Sequence, residues 1–521
     1  MTPTAVPAGA PAAARLASMA ALAVALATLA VGIAWNTAAA GGSDSHCYAG
    51  QARMFAGGAL TLAPPIEMPV PWPGAAATFA PSGFAPGPGA SGASVPLCPP
   101  GLSLMMAAAL VIGGERAIFL VVPMLGALAV WCAFLIGRRL GSPAAGVASA
   151  ALLACSPTFL YQLVQPMSDV PAAALWLASL ALALCSQGHS RAARVALGAG
   201  VLAGAAIMVR PNLAPLALIP VLLALPSRAA ALATIGGLVP GVAAVAGLQA
   251  AMYGAPGRTG YGDPATLFAL GHVMPNLARY PAWVAAVHTS IVAAGLLAPF
   301  LSRIRSQATL LVAFAALVLA AYLPYVVFDD WWYTRFLLPG LAVLIVLMGV
   351  VFDAAARRLP RLVRTAALLC AVVALGGLWV SRAQDLEVFR LQALERKYVE
   401  LGHYASASLP PSAVVIAGQA TGAVRFYAGR PTLSWDAIEP AWLDRTLDEL
   451  RRRGHVPYFA IEAWELEPFR SRFRGQSALS ALDWPARATI GNVIFVYAAG
   501  DRARYLAGEH IPTTRISWNT K

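Results

Sequence analysis

This sequence predicts a polytopic α-helical membrane protein of about eleven transmembrane helices, with a small C-terminal extracytoplasmic α/β domain. Three observations predict it. The 521 residues are 59% hydrophobic and 11% charged, where soluble domains run at roughly 45–50% and 25%. Apolar runs long enough to cross a hydrocarbon core of about 30 Å recur from residue 16 to residue 380. Beyond residue 380 the composition becomes that of a soluble domain. A net charge of +13 would suit nucleic acid in a soluble chain, but here the arginines fall mainly in short loops between apolar runs. That is the positive-inside pattern, and no nucleic-acid partner is expected.

The first run, residues 16–35, follows a single Arg15. A cleaved signal peptide is the alternative, since Ala38-Ala39-Ala40 resembles a cleavage site, but the run exceeds the usual h-region and reads better as a retained span. Residues 36–101 form the first external loop, which carries Asp44, His46, Cys47 and Tyr48. Residues 48–60 look helical. Residues 63–96 are dense in Pro, Gly, Ala and Ser, which disfavours helix and strand and predicts an irregular, mobile flap. Of six cysteines, Cys132, Cys155, Cys185 and Cys370 lie in apolar runs, and only Cys47 and Cys98 share a loop. In an oxidising compartment these two are expected to pair, closing about 50 residues and stabilising by roughly 4 kcal/mol. Pro99-Pro100-Gly101 then opens a short apolar helix over 102–112, which suits the membrane interface rather than a crossing.

Ten further spans are expected at 117–136, 144–163, 170–185, 195–209, 213–225, 229–252, 283–301, 308–327, 336–352 and 362–380. Arg138-Arg139, Arg191 with Arg194, Arg228, Arg303 with Arg305, and the group Arg357, Arg358, Arg361 and Arg364 fall on alternate connections. That side is cytoplasmic by the loop rule. The opposite side then carries the first loop, Asp169, Arg210, Arg335 and the C-terminal region. Residues 1–380 form the membrane core and 381–521 the soluble domain. In the latter, 414–417, 458–462 and 493–497 read as strands, and 443–453 and 468–473 as helices.

Ionisable groups at membrane depth are costly and mark functional sites by default. Four stand out on the external side: Asp44, Asp169, Arg210 before Pro211, and Arg335 at the start of the tenth span. Arginine offers a planar fork of donors that matches phosphate oxygens, and a carboxylate can take a proton from an attacking hydroxyl or amine. Each has a plainer reading. Asp44 and Asp169 are well placed to cap helices, and Arg335 to snorkel beside Trp331-Trp332-Tyr333. His46, His272 and His288 lack metal-ligand spacing, so no metal site is assigned, although an open site using Asp44 is left open. No Gly-x-Ser-x-Gly, P-loop or Cys-x-x-Cys is present, which weighs against hydrolases and nucleotide-driven machines.

In order along the chain, Asp44 with Tyr48 and Ala52, Pro99-Pro100-Gly101, Ser156-Pro157, Met167-Ser168-Asp169-Val170-Pro171, Arg210-Pro211 and Arg335-Phe336-Leu337-Leu338-Pro339 resemble the membrane-embedded C-fold glycosyltransferases. That superfamily includes protein O-mannosyltransferases and aminoarabinose transferases. The resemblance implies an inverting transfer from a polyprenyl-phosphate sugar donor to a lipid, glycan or protein acceptor. A bacterial-type plasma membrane is expected, with no cofactor assigned and a divalent metal as the alternative. The resemblance makes Asp44 the base and Asp169 a catalytic group that orients the acceptor or the base, with Arg210 and Arg335 on the phosphate and Tyr48 and His46 as further substrate contacts. One departure is that Ser45 stands where many relatives carry a second acid. A lipid-sugar flippase and a non-catalytic assembly partner are the alternative readings. The C-terminal domain lies outside the shared core and is expected to help select the acceptor.

Overall fold

The computed structural model describes residues 10–89, 91–187 and 191–518. The chain forms two compact units, each gathered from separate segments. One takes the chain up to Asn36 together with Phe119–Ala246 and Asp263–Phe389. The other takes Thr37–Ile118, Gly247–Gly262 and the chain from Arg390 onward. The first external loop is therefore grouped with the C-terminal region.

Among the described residues eight helices are long and apolar enough to cross a membrane, from Ala12–Ala34 to Arg361–Asp385, and two bent pairs raise the total to ten. The expected span at 213–225 is the one that falls short. Pro215 interrupts it, so it becomes a 3-10 turn, Pro211–Ala217, followed by the short helix Leu218–Ala224, which carries Pro220 in its first turn. The bent pairs are Pro143–Ala154 with Pro157–Leu163, at 62°, and Leu270–His288 with Ser290–Phe300, at 102°. Breaking a helix in an apolar setting frees backbone groups that need partners. Here Ser156 Oγ accepts from the Phe159 amide and lies 2.8 Å from His288 Nε2, while Trp379 Nε1 donates to the His288 carbonyl at 2.7 Å. The two breaks thus satisfy each other.

Helices Ala192–Val209 and Arg228–Tyr253 meet through glycine. A Cβ on Gly241 would lie 2.5 Å from the Gly204 carbonyl carbon, so only glycine permits the backbones to approach so closely.

The second unit is built on a six-stranded mixed sheet. In chain order the strands of this unit are β1 (Phe84–Pro86), β2 (Ser94–Pro96), β3 (Ala413–Ala417), β4 (Thr432–Ser434), β5 (Val456–Glu462), β6 (Ala488–Ile490), β7 (Ile494–Ala498) and β8 (Thr514–Ile516). β1 and β2 pair with each other, and the large sheet runs β4-β3-β5-β7-β6-β8. β3 is parallel to β4 and β5, and β7 is antiparallel to β5 and β6. Alternation sends Val414 and Ile416 to one face and Ala413, Val415 and Ala417 to the other.

The first of these faces corrects the expectation of a mobile flap. Ile66, Trp72, Ala75 and Phe79 of the Pro-rich loop are buried in the same core as Val414, Ile416, Phe459 and Phe469. Arg453 Nη1 and Nη2 donate to the Glu67 and Pro69 carbonyls, both at 2.6 Å, and fix the loop backbone. Proline and glycine exclude long regular elements, but the apolar side chains between them still find a surface to cover. Only Ala90 of this stretch lies outside the described residues.

A disulfide joins Cys47 to Cys98. Thiol labelling of denatured protein without reductant should therefore modify Cys132, Cys155, Cys185 and Cys370 alone. Modification of Cys47 and Cys98 under those conditions would contradict the bond.

Candidate functional site

Helix Ala192–Val209 ends where Pro211 forces the preceding residue out of helical geometry, and Arg210 takes φ −143° and ψ 88°. Its guanidinium then points at three partners. Nη2 donates to Asp169 Oδ1 at 2.5 Å, Nη1 to the Tyr322 hydroxyl at 2.9 Å, and Nε to Ser168 Oγ at 3.2 Å. Asp169 is 0% exposed and Arg210 7%. Although Asp169 begins helix Asp169–Ser186, its carboxylate is turned to the arginine, which replaces the plain capping reading. Asp169 Oδ2 is buried and has no hydrogen-bond partner among the described residues. A buried acceptor of that kind is costly, so the position suits a donor brought by a ligand or water.

Arg335 sits in the 3-10 turn Trp331–Leu337 that leads into helix Leu338–Ala356. Its guanidinium carbon lies 5.4 Å from the Tyr333 ring and 5.1 Å from the Phe336 ring. That of Arg210 lies 5.5 Å from the same Phe336 ring. Two cations thus lie within reach of one aromatic ring, whose quadrupole attracts both. Tyr322 stacks on Phe336 with centroids 5.0 Å apart. The segment between them is pinned by Asn276, whose Nδ2 lies 3.0 Å and 2.6 Å from the Leu323 and Tyr325 carbonyls. Sequence reasoning did not single out Tyr322 or Asn276, whose only signal is a polar atom in an apolar stretch.

Asp44 belongs to the second unit. It lies half-buried in the first turn of helix Gly42–Ala56, with Gly41 as the N-cap, so it is not the cap the sequence offered. A negative charge in a first turn is still favoured by the helix dipole. Tyr48, one turn on, is 6% exposed, and its carbonyl accepts from Ser103 Oγ at 3.1 Å. Ser103 belongs to helix Pro100–Gly113, which packs beside the Asp44 helix.

His46, expected as a substrate contact, lies on the packed side of the Asp44 helix. It is 3% exposed, its Nδ1 donates to the Ser82 carbonyl at 2.6 Å, and its ring lies 5.4 Å from that of Phe84. Burial, opposed by the Ser82 hydrogen bond, lowers its pKa from 6.5 to about 4 and keeps it neutral. Between those values the unfolded chain binds the proton and the folded one does not, so this contribution to stability is present above pH 6.5 and lost as pH falls toward 4. Wild type should lose up to about 3 kcal/mol over that window relative to His46→Gln, by denaturant unfolding at stepped pH. Parallel pH curves for the two proteins would sink this account.

Among the described residues, no three His, Cys, Asp or Glu gather closely enough to hold a metal ion.

The chain, a helical membrane bundle with an α/β region toward its C-terminus, has the membrane-embedded C-fold of solved glycosyltransferases. Residues 98–251, under half of the chain, match the dolichyl-phosphate-mannose-protein mannosyltransferase family. No curated protein matches the sequence. Among solved structures the chain is similar to ArnT from Cupriavidus metallidurans bound to undecaprenyl phosphate, with TM-score 0.57 and 13% identity over 87% of this chain and 94% of that one. The apo state of the same protein gives 0.56 and 13% over 92% and 97%. The Archaeoglobus fulgidus oligosaccharyltransferase tethered to an acceptor peptide gives 0.50 and 13% over 89% and 72%.

Proposed function

We propose that this protein is an inverting glycosyltransferase that moves a sugar from a polyprenyl-phosphate donor to an acceptor on the extracytoplasmic face of a bacterial-type plasma membrane. The observation that carries the reading is the pair Arg210 and Arg335 on one Phe336 ring, with the plane of Arg210 set by Asp169 and Tyr322. Such a pair suits a phosphate monoanion or diester beside lipid, where lysine would be more costly to keep charged. The likeness to a fold solved with undecaprenyl phosphate supports the same ligand class here.

In this reading Asp44 is the base. The acceptor oxygen or nitrogen attacks the anomeric carbon, its proton passes to Asp44, and the bond from that carbon to the phosphate oxygen breaks with its electron pair on the phosphate. The configuration inverts. Polyprenyl phosphate has a second pKa near 6, so it can leave without a general acid, and Arg210 and Arg335 would hold the added charge. Asp169 orients Arg210, and its free Oδ2 is suited to a substrate hydroxyl. Tyr48, on the Asp44 helix, stays a candidate substrate neighbour through its ring.

The test is sugar transfer by purified protein in liposomes, with a panel of polyprenyl-phosphate hexoses and pentoses and membrane extract as acceptor. The expected result is label in the acceptor and free polyprenyl phosphate in equal amounts. Donor that crosses the bilayer uncleaved would move the assignment to a flippase, and neither result with any donor would favour an assembly partner.

A further inference from the structure

The C-terminal region and the Asp44 helix belong to one compact unit, and their contacts are too close to be incidental. Helix Thr421–Ala428 lies along helix Gly42–Ala56. A Cβ on Gly422 would stand 2.3 Å from Cγ and Nδ1 of His46, so the imidazole rests on bare backbone there. Two turns along, the Arg53 guanidinium covers the Phe426 ring at 3.4 Å and donates to the Phe426 carbonyl. Thr421 Oγ1 accepts from the Ser82 amide at 2.8 Å, and Ser82 offers its carbonyl to His46.

The start of the helix is held as firmly. The Ala40 amide donates to the Tyr427 hydroxyl at 2.8 Å. A Cβ on Gly41 would meet the Tyr398 ring at 2.3 Å and Glu395 Oε2 at 2.5 Å, and one on Gly42 the Gln419 amide nitrogen at 2.9 Å. Tyr398 is itself fixed by Glu462, which also pairs with Lys397 at 2.6 Å. Gly42 has φ +59°, a conformation that side chains resist and that places the first turn behind it.

Helical geometry says what this grip does. Residues 46 and 53 share one stripe, and residue 44 lies about 200° around the helix from residue 46. The gripped face is therefore not the one that carries Asp44. We propose that the C-terminal α/β domain is the positioning element for Asp44, seating the His46 and Arg53 face of its helix on Gly422 and Phe426, and so aims the carboxylate in addition to any part in acceptor choice. This rests on Asp44 being the base.

The experiment compares wild type, Gly422→Ala, His46→Ala and the double variant by hydrogen exchange and by transfer kinetics. Gly422→Ala should speed amide exchange across 42–56 and lower kcat by about tenfold or more, since a displacement near 1 Å can cost on the order of a hundredfold, with donor KM within about twofold. Removing the ring removes the clash, so the double variant should be no worse than His46→Ala alone. Should Gly422→Ala not fold, Phe426→Leu loosens the Arg53 contact on the same helix face without adding volume and should give the same pair of changes. Unchanged exchange and kcat in Gly422→Ala, or an additive double variant, would overturn the proposal. If wild type transfers no sugar, the transferase reading falls, while exchange still decides whether the domain holds this helix.

Discussion

Asp44→Asn is expected to lower turnover by about 10²–10⁴-fold, the usual worth of a positioned general base, with donor KM little changed. The substitution is isosteric, and the N-cap residue of its helix is Gly41, not Asp44. Folding, followed by thermal unfolding and by the Cys47–Cys98 bond, should stay near wild type. The next residue is Ser45, 9% exposed, so no adjacent carboxylate can take over. Asp44→Glu should recover part of the rate, because the base survives with its reach altered. Full turnover in Asp44→Asn would remove Asp44 from the chemistry.

The second large effect belongs to Asp169. Replacing it with Asn leaves Arg210, 7% exposed, charged without its counter-ion beside Ser168 and Tyr322. Losing one partner of a buried pair costs about 3–5 kcal/mol, much of it the penalty of the stranded charge. Asp169→Asn should thus lower both the unfolding midpoint and the affinity for donor. The double variant Asp169→Asn with Arg210→Gln should regain much of the stability and none of the donor affinity, because the stranded charge and the proposed phosphate contact leave together. A double-mutant cycle reads this directly. Additive losses would mean that the two residues act independently, despite the 2.5 Å contact.

How much of this was legible beforehand varies with the physics involved. Lipid-crossing runs announce themselves by length and composition, and ten of the eleven expected spans have a counterpart that meets the length test singly or as a bent pair. The bends at Ser156 and His288 do not, because they depend on a hydrogen bond between residues far apart in sequence. Strands of three residues, such as β4, β6 and β8, are too short to show a period. Arg210 was legible because Pro211 follows it and because charge in an apolar setting is rare. Its partner Tyr322 was not, since nothing local distinguishes a tyrosine that stacks from one that bonds an arginine. His46 neighbours Asp44 in sequence, but the helix turns its ring to the packed side, which only the fold could show.

The second unit is assembled from pieces at 37–118, 247–262 and beyond 389. A chain is made from its N-terminus, so the first piece is synthesised long before the strands that cover Trp72 and Phe79 exist. Its disulfide needs no later residue and can close early, whereas its apolar cover arrives last. Biogenesis therefore includes an interval in which a half-finished unit waits with its core open, and chain termination before β3 would make that interval permanent.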